Sequence, residues 1–516
     1  MKIIPVFMAG ALLAFQIPAA SAQNVSDLLR FSQNQTMGTA RSQGMGNAFG
    51  AVGADYSALQ INPAGLGLYR RNEAHLSMGI NADISNANYF GTSASDSRTG
   101  FHIPSMGFVV SKVYNDMGQD RVSGLVSINF AAGLNRVGSF QQNFTINGIN
   151  TNSSVLDYLV EQANGTDVSQ YRNSNVNDPL NNYRNDLGAQ AWTTYLIDTM
   201  PNSTNSYTSR LANAANYNLK ESIQGSMRGA IYEYNVSAGA NISNMIYVGA
   251  SLVFTNIRYE KTESFDEQVV AADHINSYKG ARITSDISAA GSGVSGRFGV
   301  IVKPVDFFRF GVSAQTPARI NIRDEFRYTT TGFFTNTTNT YDPQSKDFVE
   351  YQVLTPARYT GSMAFVFSSF GLISADVEMV DYASAQFKSN NIDYSNTNQA
   401  ARNNLQQSMN YRIGAEFKFD DASGNLADSY RLRAGWGLIG SPYKTTVFNV
   451  NETNLQRQMY SGGFGMVFDR MFVDFAISAL TGTDYIQPYT LQGKAAPVGE
   501  NRFTAYNFAL TTGIRF

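Results

Sequence analysis

Two carboxylates stand two residues apart at Asp376 and Glu378, a spacing that places both side chains on one face of a β-strand. Carboxylates paired in this way can exchange a proton with a substrate, as general acid–base chemistry requires. The same spacing also suits ion pairing, because a carboxylate accepts two parallel hydrogen bonds from an arginine. Arginines on other strands are expected on the same inward face, so the sequence favours a structural polar network over a catalytic pair.

Charged residues recur at alternating positions along the predicted strands. A charge that faces lipid at mid-bilayer costs about 2–4 kcal/mol, so in a membrane barrel these side chains must face the lumen. We call this set the lumen polar network, and nothing in the sequence shows which arginine would hold a substrate carboxylate. Its predicted members are Arg297, Arg309, Arg358, Asp376, Glu378, Arg412, Glu416, Arg431 and Arg433.

Other kinds of catalytic or metal chemistry find little support. The chain has 3 His and 0 Cys, and His75, His102 and His274 do not stand at metal-ligand spacing. No serine motif provides a nucleophile with an oriented base, and no glycine loop followed by Lys and Ser/Thr offers a phosphate site. We therefore predict no catalytic residues, no metal and no cofactor, with an outer-membrane hydrolase as a less favoured alternative.

The elements that carry these residues read as long β-strands from residue 72 onward. The clearest is the last, 503–516, where large apolar side chains alternate with small or polar ones at period two. It ends in Phe516, and in this it resembles the barrel families whose terminal Phe is recognised by the outer-membrane assembly machinery. The apolar face of this strand consists of Tyr506, Phe508, Leu510, Ile514 and Phe516.

We expect about fourteen strands. The first two are predicted near 72–82 and 103–115. Short links alternate with longer polar ones, which is the topology of an outer-membrane barrel. The fold class is therefore all-β: a transmembrane antiparallel β-barrel over 72–516. A long extracellular insertion, 141–224, is expected to be partly helical, near 155–162, 189–200 and 208–221.

Composition and the N-terminus indicate the compartment. Charged residues make up 15% of the chain, against roughly 25% in soluble proteins. The net charge of −2 argues against a nucleic-acid partner, which needs a concentrated positive surface. Residues 1–22 have a basic start, an apolar run and a small-x-small end, as in a cleaved signal peptide. We predict location in the bacterial outer membrane, among lipid and lipopolysaccharide.

The segment 23–71 does not alternate like a strand. A short helix is expected over 25–31, with Ser26 as its N-cap. A run of glycine and other small residues follows at 38–55, and Asn62-Pro63-Ala64 comes just before the first strand. A backbone with so few large side chains can pack closely inside another structure.

These motifs resemble the start of the FadL/TodX family of outer-membrane hydrophobic-compound transporters. The phrases Thr355-Pro356-Ala357-Arg358-Tyr359, 372–382 and 431–435 are also similar to that family. The resemblance implies that 23–71 is an N-terminal hatch plugging a barrel of about fourteen strands. It further implies a monomer, and a ligand pocket near the mature N-terminus to which Leu28, Leu29 and Phe31 would contribute.

The resemblance implies passive uptake of small hydrophobic compounds, either long-chain fatty acids or aromatic hydrocarbons. In the family the solute leaves sideways through a gap in the wall. The alternatives left open are a type IX secretion accessory or shuttle and a hemin-binding receptor, since the family includes both.

Overall fold

The computed structural model describes residues 24–116, 119–172, 183–212, 217–270, 277–367, 370–420, 427–444, 455–492 and 497–516. The predicted signal peptide, 1–22, and His274 lie outside these residues. The described chain forms one closed antiparallel barrel of 14 strands, which confirms the predicted fold class.

Every barrel strand pairs with its neighbours in the chain, and the first strand also pairs with the last. That closure leaves no free sheet edge, which a strand structure in lipid requires. It is made by sixteen cross-strand positions from Glu73↔Arg515 to Asn88↔Glu500. The strands are β1 Glu73–Tyr89, β2 Thr92–Val113, β3 Leu125–Ser139 and Gln142–Asn150, β4 Leu219–Ile242, β5 Ile246–Val269, β6 Tyr278–Val305, β7 Phe308–Gln315 and Arg319–Phe334, β8 Asp347–Leu354 and Arg358–Phe367, β9 Gly371–Asp381 and Gln386–Lys388, β10 Gln407–Asp420, β11 Ser429–Ile439, β12 Arg457–Phe468, β13 Met471–Ile486 and β14 Gly499–Arg515.

An apolar band surrounds the outside of the barrel. Phe298, Phe417 and Phe508 on three separate strands are 55%, 56% and 47% exposed, while their sequence neighbours are charged, polar or small. A soluble protein would not expose so much aromatic surface, whereas a lipid-facing wall needs it. Among the described residues, no helix is both long enough and apolar enough to cross a bilayer.

The first hairpin is longer than predicted. The sequence suggested a long connection between residues 82 and 103, but β1 and β2 continue to a tight turn at Phe90 and Gly91, whose φ angles are +48° and +78°. These upper strand segments are polar on both faces and lack the apolar alternation that marks a lipid-facing strand. They were therefore indistinguishable from a loop in the sequence.

The insertion between β3 and β4 folds into a cap. It contains α3 (Val155–Ala163), α4 (Val168–Arg172), α5 (Leu187–Thr193) and a small hairpin of Ile197–Thr199 with Tyr207–Ser209. The helix predicted over 208–221 was wrong. From Leu219 the chain is already strand β4, in which buried Leu219, Glu221 and Ile223 alternate with less buried neighbours.

The N-terminal segment lies inside the barrel. It consists of α1 (Val25–Ser32), α2 (Ala40–Gly44) and two 3-10 helices, Tyr56–Gln60 and Pro63–Leu68. The predicted N-cap of α1 was wrong by two positions. Asn24 caps the helix by accepting from the Asp27 backbone N–H, and Asp27 accepts in return from the Asn24 backbone N–H. This reciprocal capping box satisfies two backbone donors at once.

Candidate functional site: the barrel lumen

The Asn62-Pro63-Ala64 motif fastens the N-terminal segment to the wall. The Asn62 Oδ1 accepts from the Ala64 backbone N–H at 3.0 Å and so caps the second 3-10 helix. The Asn62 Nδ2 donates to the carbonyls of Gly50 at 2.9 Å and Val300 at 3.3 Å. One buried side chain therefore ties together the helix, the preceding loop and strand β6.

Glycines in the wall make room for this motif. Gly249 and Gly299 are direct cross-strand partners on β5 and β6. A Cβ at Gly249 would lie 2.2 Å from the Pro63 carbonyl oxygen, and one at Gly299 would lie 1.9 Å from the Asn62 Oδ1. No side chain fits at such distances, so the backbone approach of the N-terminal segment depends on both glycines.

An ion-pair chain joins α2 to the far wall. Arg41 donates from Nε and Nη2 to the two Glu416 carboxylate oxygens, each at 2.9 Å. Arg433 donates to the same Glu416 at 2.7 Å and to Asp474 at 2.6 Å. A bidentate pair of this kind fixes orientation as well as distance. The sequence predicted Glu416 and Arg433 but missed Arg41, although it is the only charge in the small-residue run before Asp55.

Asp376 and Glu378, the candidate acid–base pair, have separate structural tasks. Asp376 accepts from the backbone N–H groups of Phe49 at 3.0 Å and Gly50 at 3.1 Å. Glu378 pairs with Arg358 at 3.0 Å and with Arg412. Asp376 therefore ties the wall to the N-terminal segment, whereas Glu378 joins two arginines of the wall itself.

The remaining network arginines also bind the N-terminal segment, with one exception. Arg297 donates to the Leu59 carbonyl at 2.9 Å and to Glu233 at 3.1 Å, and Arg309 donates to the Val52 carbonyl at 2.7 Å. The Nε of Arg431 is buried and has no hydrogen-bond partner among the described residues.

Above this polar layer lies a cluster of buried apolar side chains, here called the apolar chamber, whose centre is filled by helix α1. Leu28, Leu29 and Phe31 of α1 are 0%, 4% and 2% exposed and form its inner side. The Phe31 ring packs edge-on against Tyr259, with centroids 6.3 Å apart. The chamber wall, much of which the sequence did not predict, consists of Val137, Ile231, Ile257, Tyr259, Ala289, Ala318, Ile320, Ile322, Tyr351, Val353, Val380, Tyr382, Ala385, Phe387, Tyr394, Ala401, Leu405, Tyr443 and Leu455.

Helix α1 is held in the chamber by only a few polar contacts. Arg358 donates to the Ser32 carbonyl at 2.7 Å, and the Arg30 guanidinium lies 4.4 Å from the centre of the Tyr259 ring. Arg30 also pairs with Asp27 on the same helix. The helix is therefore placed mainly by its apolar face, which occupies the space that the sequence assigned to a ligand.

The barrel wall is interrupted between β2 and β3. Their ladder ends at Ser105↔Asn135, and beyond it β3 turns inward, so that Arg136 forms an isolated bridge with Met37. Beyond Ser105 and Asn135, β2 and β3 are joined by side chains rather than by backbone hydrogen bonds. Arg98 of β2, for example, donates to Gln141 at 2.7 Å. Val137, the next residue on the displaced strand, belongs to the chamber wall. The gap therefore adjoins the chamber.

The cap closes the outer mouth over two buried carboxyls. Glu221 and Glu267 are directly opposed on β4 and β5 and are 0% exposed. Glu267 accepts from the Ser154 hydroxyl at 2.7 Å, the Val155 N–H at 2.9 Å and the Tyr278 hydroxyl at 2.8 Å. Glu221 accepts from Asn150 at 3.0 Å, from Tyr489 at 2.9 Å and from Tyr89.

Both carboxyls lie well above the apolar band, whose last outward apolar residue on β5 is Phe254. Burial, together with the opposed Glu221, raises the pKa of Glu267 to about 8. Burial likewise raises the pKa of Glu221. Like charges placed directly opposite each other repel, so the cap rests on a carboxyl pair that favours at least one protonated member.

Two of the histidines are buried in the barrel, and the C-terminal Phe516 is exposed. His75 is buried and its Nε2 lies 2.9 Å from the Ser105 hydroxyl, and His102 is buried with neither ring nitrogen hydrogen-bonded within the described chain. No group of three or more His, Cys, Asp or Glu that could hold a metal occurs in the described ranges. Phe516 is 63% exposed at the base of β14.

Comparison with known proteins identifies the architecture. No family model matches the sequence, and no curated protein matches it. Among solved structures, a Pseudomonas aeruginosa FadL homologue superposes with a TM-score of 0.53 at 11% identity, covering 94% of this chain and 98% of that one. The Pseudomonas putida toluene transporter TodX gives 0.51 at 13% identity, covering 94% and 100%. In fold, therefore, this chain is a β-barrel of the FadL/TodX type.

Proposed function

We propose that this protein is an outer-membrane channel for the passive uptake of small hydrophobic compounds. The observation that carries the proposal is the apolar chamber, which lies inside the barrel between the polar layer and the cap. A barrel that only crossed the membrane would not need a large apolar cluster in its lumen. An apolar chamber of this kind suits a solute that the polar surface of the cell would otherwise exclude.

The wall gap beside β3 provides an exit from the chamber. The N-terminal segment is fastened to the wall below the chamber by Asn62, Arg41 and the Asp376 contacts, so the straight route to the periplasm is filled. Val137 connects the chamber wall to the displaced part of β3. A solute in the chamber would therefore leave sideways beside β3, because the N-terminal segment and the polar layer fill the route downward.

The energetics favour long-chain solutes over single aromatic rings. Each large apolar side chain of α1 gains about 1.5–3 kcal/mol from burial, so Leu28, Leu29 and Phe31 together hold the helix by roughly 5–9 kcal/mol. Burial of an alkyl chain contributes about 0.8 kcal/mol per methylene, so a fatty acid of about 16 carbons can offset displacement of the helix. A ring the size of toluene replaces only about one of these side chains.

Liposome permeability tests the proposal. Vesicles that contain the protein should take up oleate faster than empty vesicles, and toluene with a smaller increase. A hydroxyl in the chamber disfavours apolar solutes by about 1–3 kcal/mol, so the two hydroxyls of Val353→Thr combined with Ile257→Thr should slow oleate uptake by at least about thirtyfold. Val126→Thr is the matched control, because Val126 is 0% exposed and lies outside the chamber. Vesicles no more permeable than empty ones would contradict the proposal.

A further inference from the structure

The apolar band ends abruptly on the outward face of β5 to β8. The last apolar row pairs Phe254 with Val294, and Val294 with Arg319. Two residues further along β5, the outward row is entirely polar. Cross-strand partners in register form this polar row: Asn256, Ser292, Asn321, Gln352 and Lys388.

A groove of about 1340 Å³ lies over this polar row. The next outward row, Arg258–Ala290–Arg323–Glu350, forms its upper side. The segment 389–395, which follows β9, forms another side and adds Asn390 and Asn391. The groove is thus lined by amides, hydroxyls and charges, the carboxylates of Glu260, Glu325, Glu350 and Asp393 among them, and also by residues of the chamber wall such as Ile257, Tyr351 and Phe387. The lipid-facing Phe254 and Val294 stand one outward row below the polar row.

Three cations of this surface have no acidic partner within the described ranges. Arg258, Arg319 and Lys388 are all exposed, and none forms an ion pair there. Arg258 and Lys388 line the groove, whereas Arg319 stands one row below it. Arg323, which also lines the groove, is shared between Glu325 at 3.1 Å and Glu350 at 3.4 Å. Arg319 stands in the last apolar row itself, at the membrane boundary, where a lipid-facing cation costs little and can reach the lipid head groups.

We infer that this groove binds the phosphorylated saccharide head of a glycolipid of the outer leaflet, that is, lipopolysaccharide. The three free cations match phosphate groups, and the amides and hydroxyls of the polar row match sugar hydroxyls. The acyl chains would lie on Phe254 and Val294 directly below. This continuity with the apolar band selects a membrane-anchored glycolipid over a free saccharide.

The inference rests on the barrel spanning the outer membrane and does not depend on which solute enters the chamber. It is tested on the full-length protein extracted from outer membranes in mild detergent. Native mass spectrometry should show lipopolysaccharide retained on the protein. The triple variant Arg258→Gln, Arg319→Gln and Lys388→Gln should retain at least tenfold less, because it lacks the phosphate partners.

The control variant is Arg71→Gln with Arg470→Gln, which removes exposed cations from the opposite end of the barrel and should retain lipopolysaccharide as the wild type does. Heat-modifiable electrophoretic mobility verifies that each barrel is folded. A second measurement needs no variant: delipidated wild-type protein should bind dephosphorylated lipopolysaccharide at least tenfold more weakly than the intact lipid. Equal retention by both variants, equal binding of both lipids, or equally tight binding of free core oligosaccharide would overturn the inference.

Discussion

Single glycines in the wall determine how closely the N-terminal segment approaches. At Gly249 the neighbouring atoms are backbone atoms of Pro63 and Ala64, at 2.2 and 2.6 Å from an added Cβ. Backbone atoms in a capped helix cannot rotate away as the end of a long side chain can. A substitution at Gly249 therefore tests how closely the Asn62-Pro63-Ala64 motif packs against the wall, without changing the motif itself.

Gly249→Ala should loosen the N-terminal segment without opening the barrel. Overpacking of this kind costs about 1–3 kcal/mol, and hydrogen exchange at the amides of Ala64 and Gly65 should accelerate by roughly ten- to a hundredfold. Gly361→Ala is the matched control, because a Cβ there meets no atom within 4 Å. Unchanged exchange in Gly249→Ala would contradict the close packing.

The N-cap of α1 shows what could be decided from residue types alone. Asn24, Ser26 and Asp27 are all favourable at helix N-termini, and the sequence prediction chose Ser26. Only Asn24 stands three residues before an acidic side chain that returns the hydrogen bond. When two residues could be the N-cap, the one that can form a reciprocal capping box is therefore the better prediction.

Among the elements, strand β3 lies beside the proposed sideways exit. Its bridge between Arg136 and Met37 lies where the ladder to β2 is lost. Antiparallel bridge partners have Cα atoms about 4.5–5.5 Å apart, which a disulfide can span. Since the chain has 0 Cys, Met37→Cys with Arg136→Cys would create a single defined cross-link.

This cross-link should leave uptake within about twofold of the reduced protein, because a lateral route does not require the N-terminal segment to move at this point. Oleate uptake into proteoliposomes, measured before and after reduction of the same sample, is the direct comparison. If oxidation stopped uptake and reduction restored it, the solute would have to pass where the N-terminal segment now lies.

The cap should respond to pH through Glu267. Its pKa is raised from 4.5 to about 8, so the protonated form is favoured in the folded cap. The associated stability is complete below pH 4.5 and is lost as the pH rises through 8. Proteolysis at the cap residues Arg172 and Arg210 should therefore be faster at pH 9 than at pH 6.

Glu267→Gln keeps the shape of the side chain and removes its charge. In that variant the difference between pH 6 and pH 9 should become much smaller, with Glu221 as the remaining titrating group. Glu260→Gln is the control, because Glu260 is exposed on the same strand. A cap whose proteolysis does not change with pH in the unaltered protein would show that the carboxyl pair does not govern its closure.

At the scale of the whole molecule, the sequence predicted what the membrane dictates. Lipid on one side and a polar lumen on the other force period-two alternation, so the lipid-facing strands and the inward direction of the charged residues could be inferred. Above the band both faces are wet and the alternation is lost. The upper parts of β1 and β2 and the start of β4 were therefore missed or assigned as helix.

The chamber could not be derived in the same way. Ile257, Tyr351, Phe387 and Leu405 are far apart in the chain and become neighbours only when the strands close into a barrel. Ile257, Tyr351 and Phe387 look like ordinary inward apolar residues of their strands, and Leu405 is the C-cap of the helix Ser395–Asn404. The predicted trio Leu28, Leu29 and Phe31 came from resemblance alone, and the structure places it in the chamber.

The most direct test of the account is to identify the small molecules bound to the protein. It would be purified from outer membranes in mild detergent and its extract analysed by mass spectrometry. We predict that fatty acids or similar long apolar compounds are bound in stoichiometric amounts. The bound amount should fall in Val353→Thr with Ile257→Thr and should be unchanged in Val126→Thr. An empty chamber together with a stoichiometric, co-purifying secreted protein would contradict it and would indicate a secretion accessory instead.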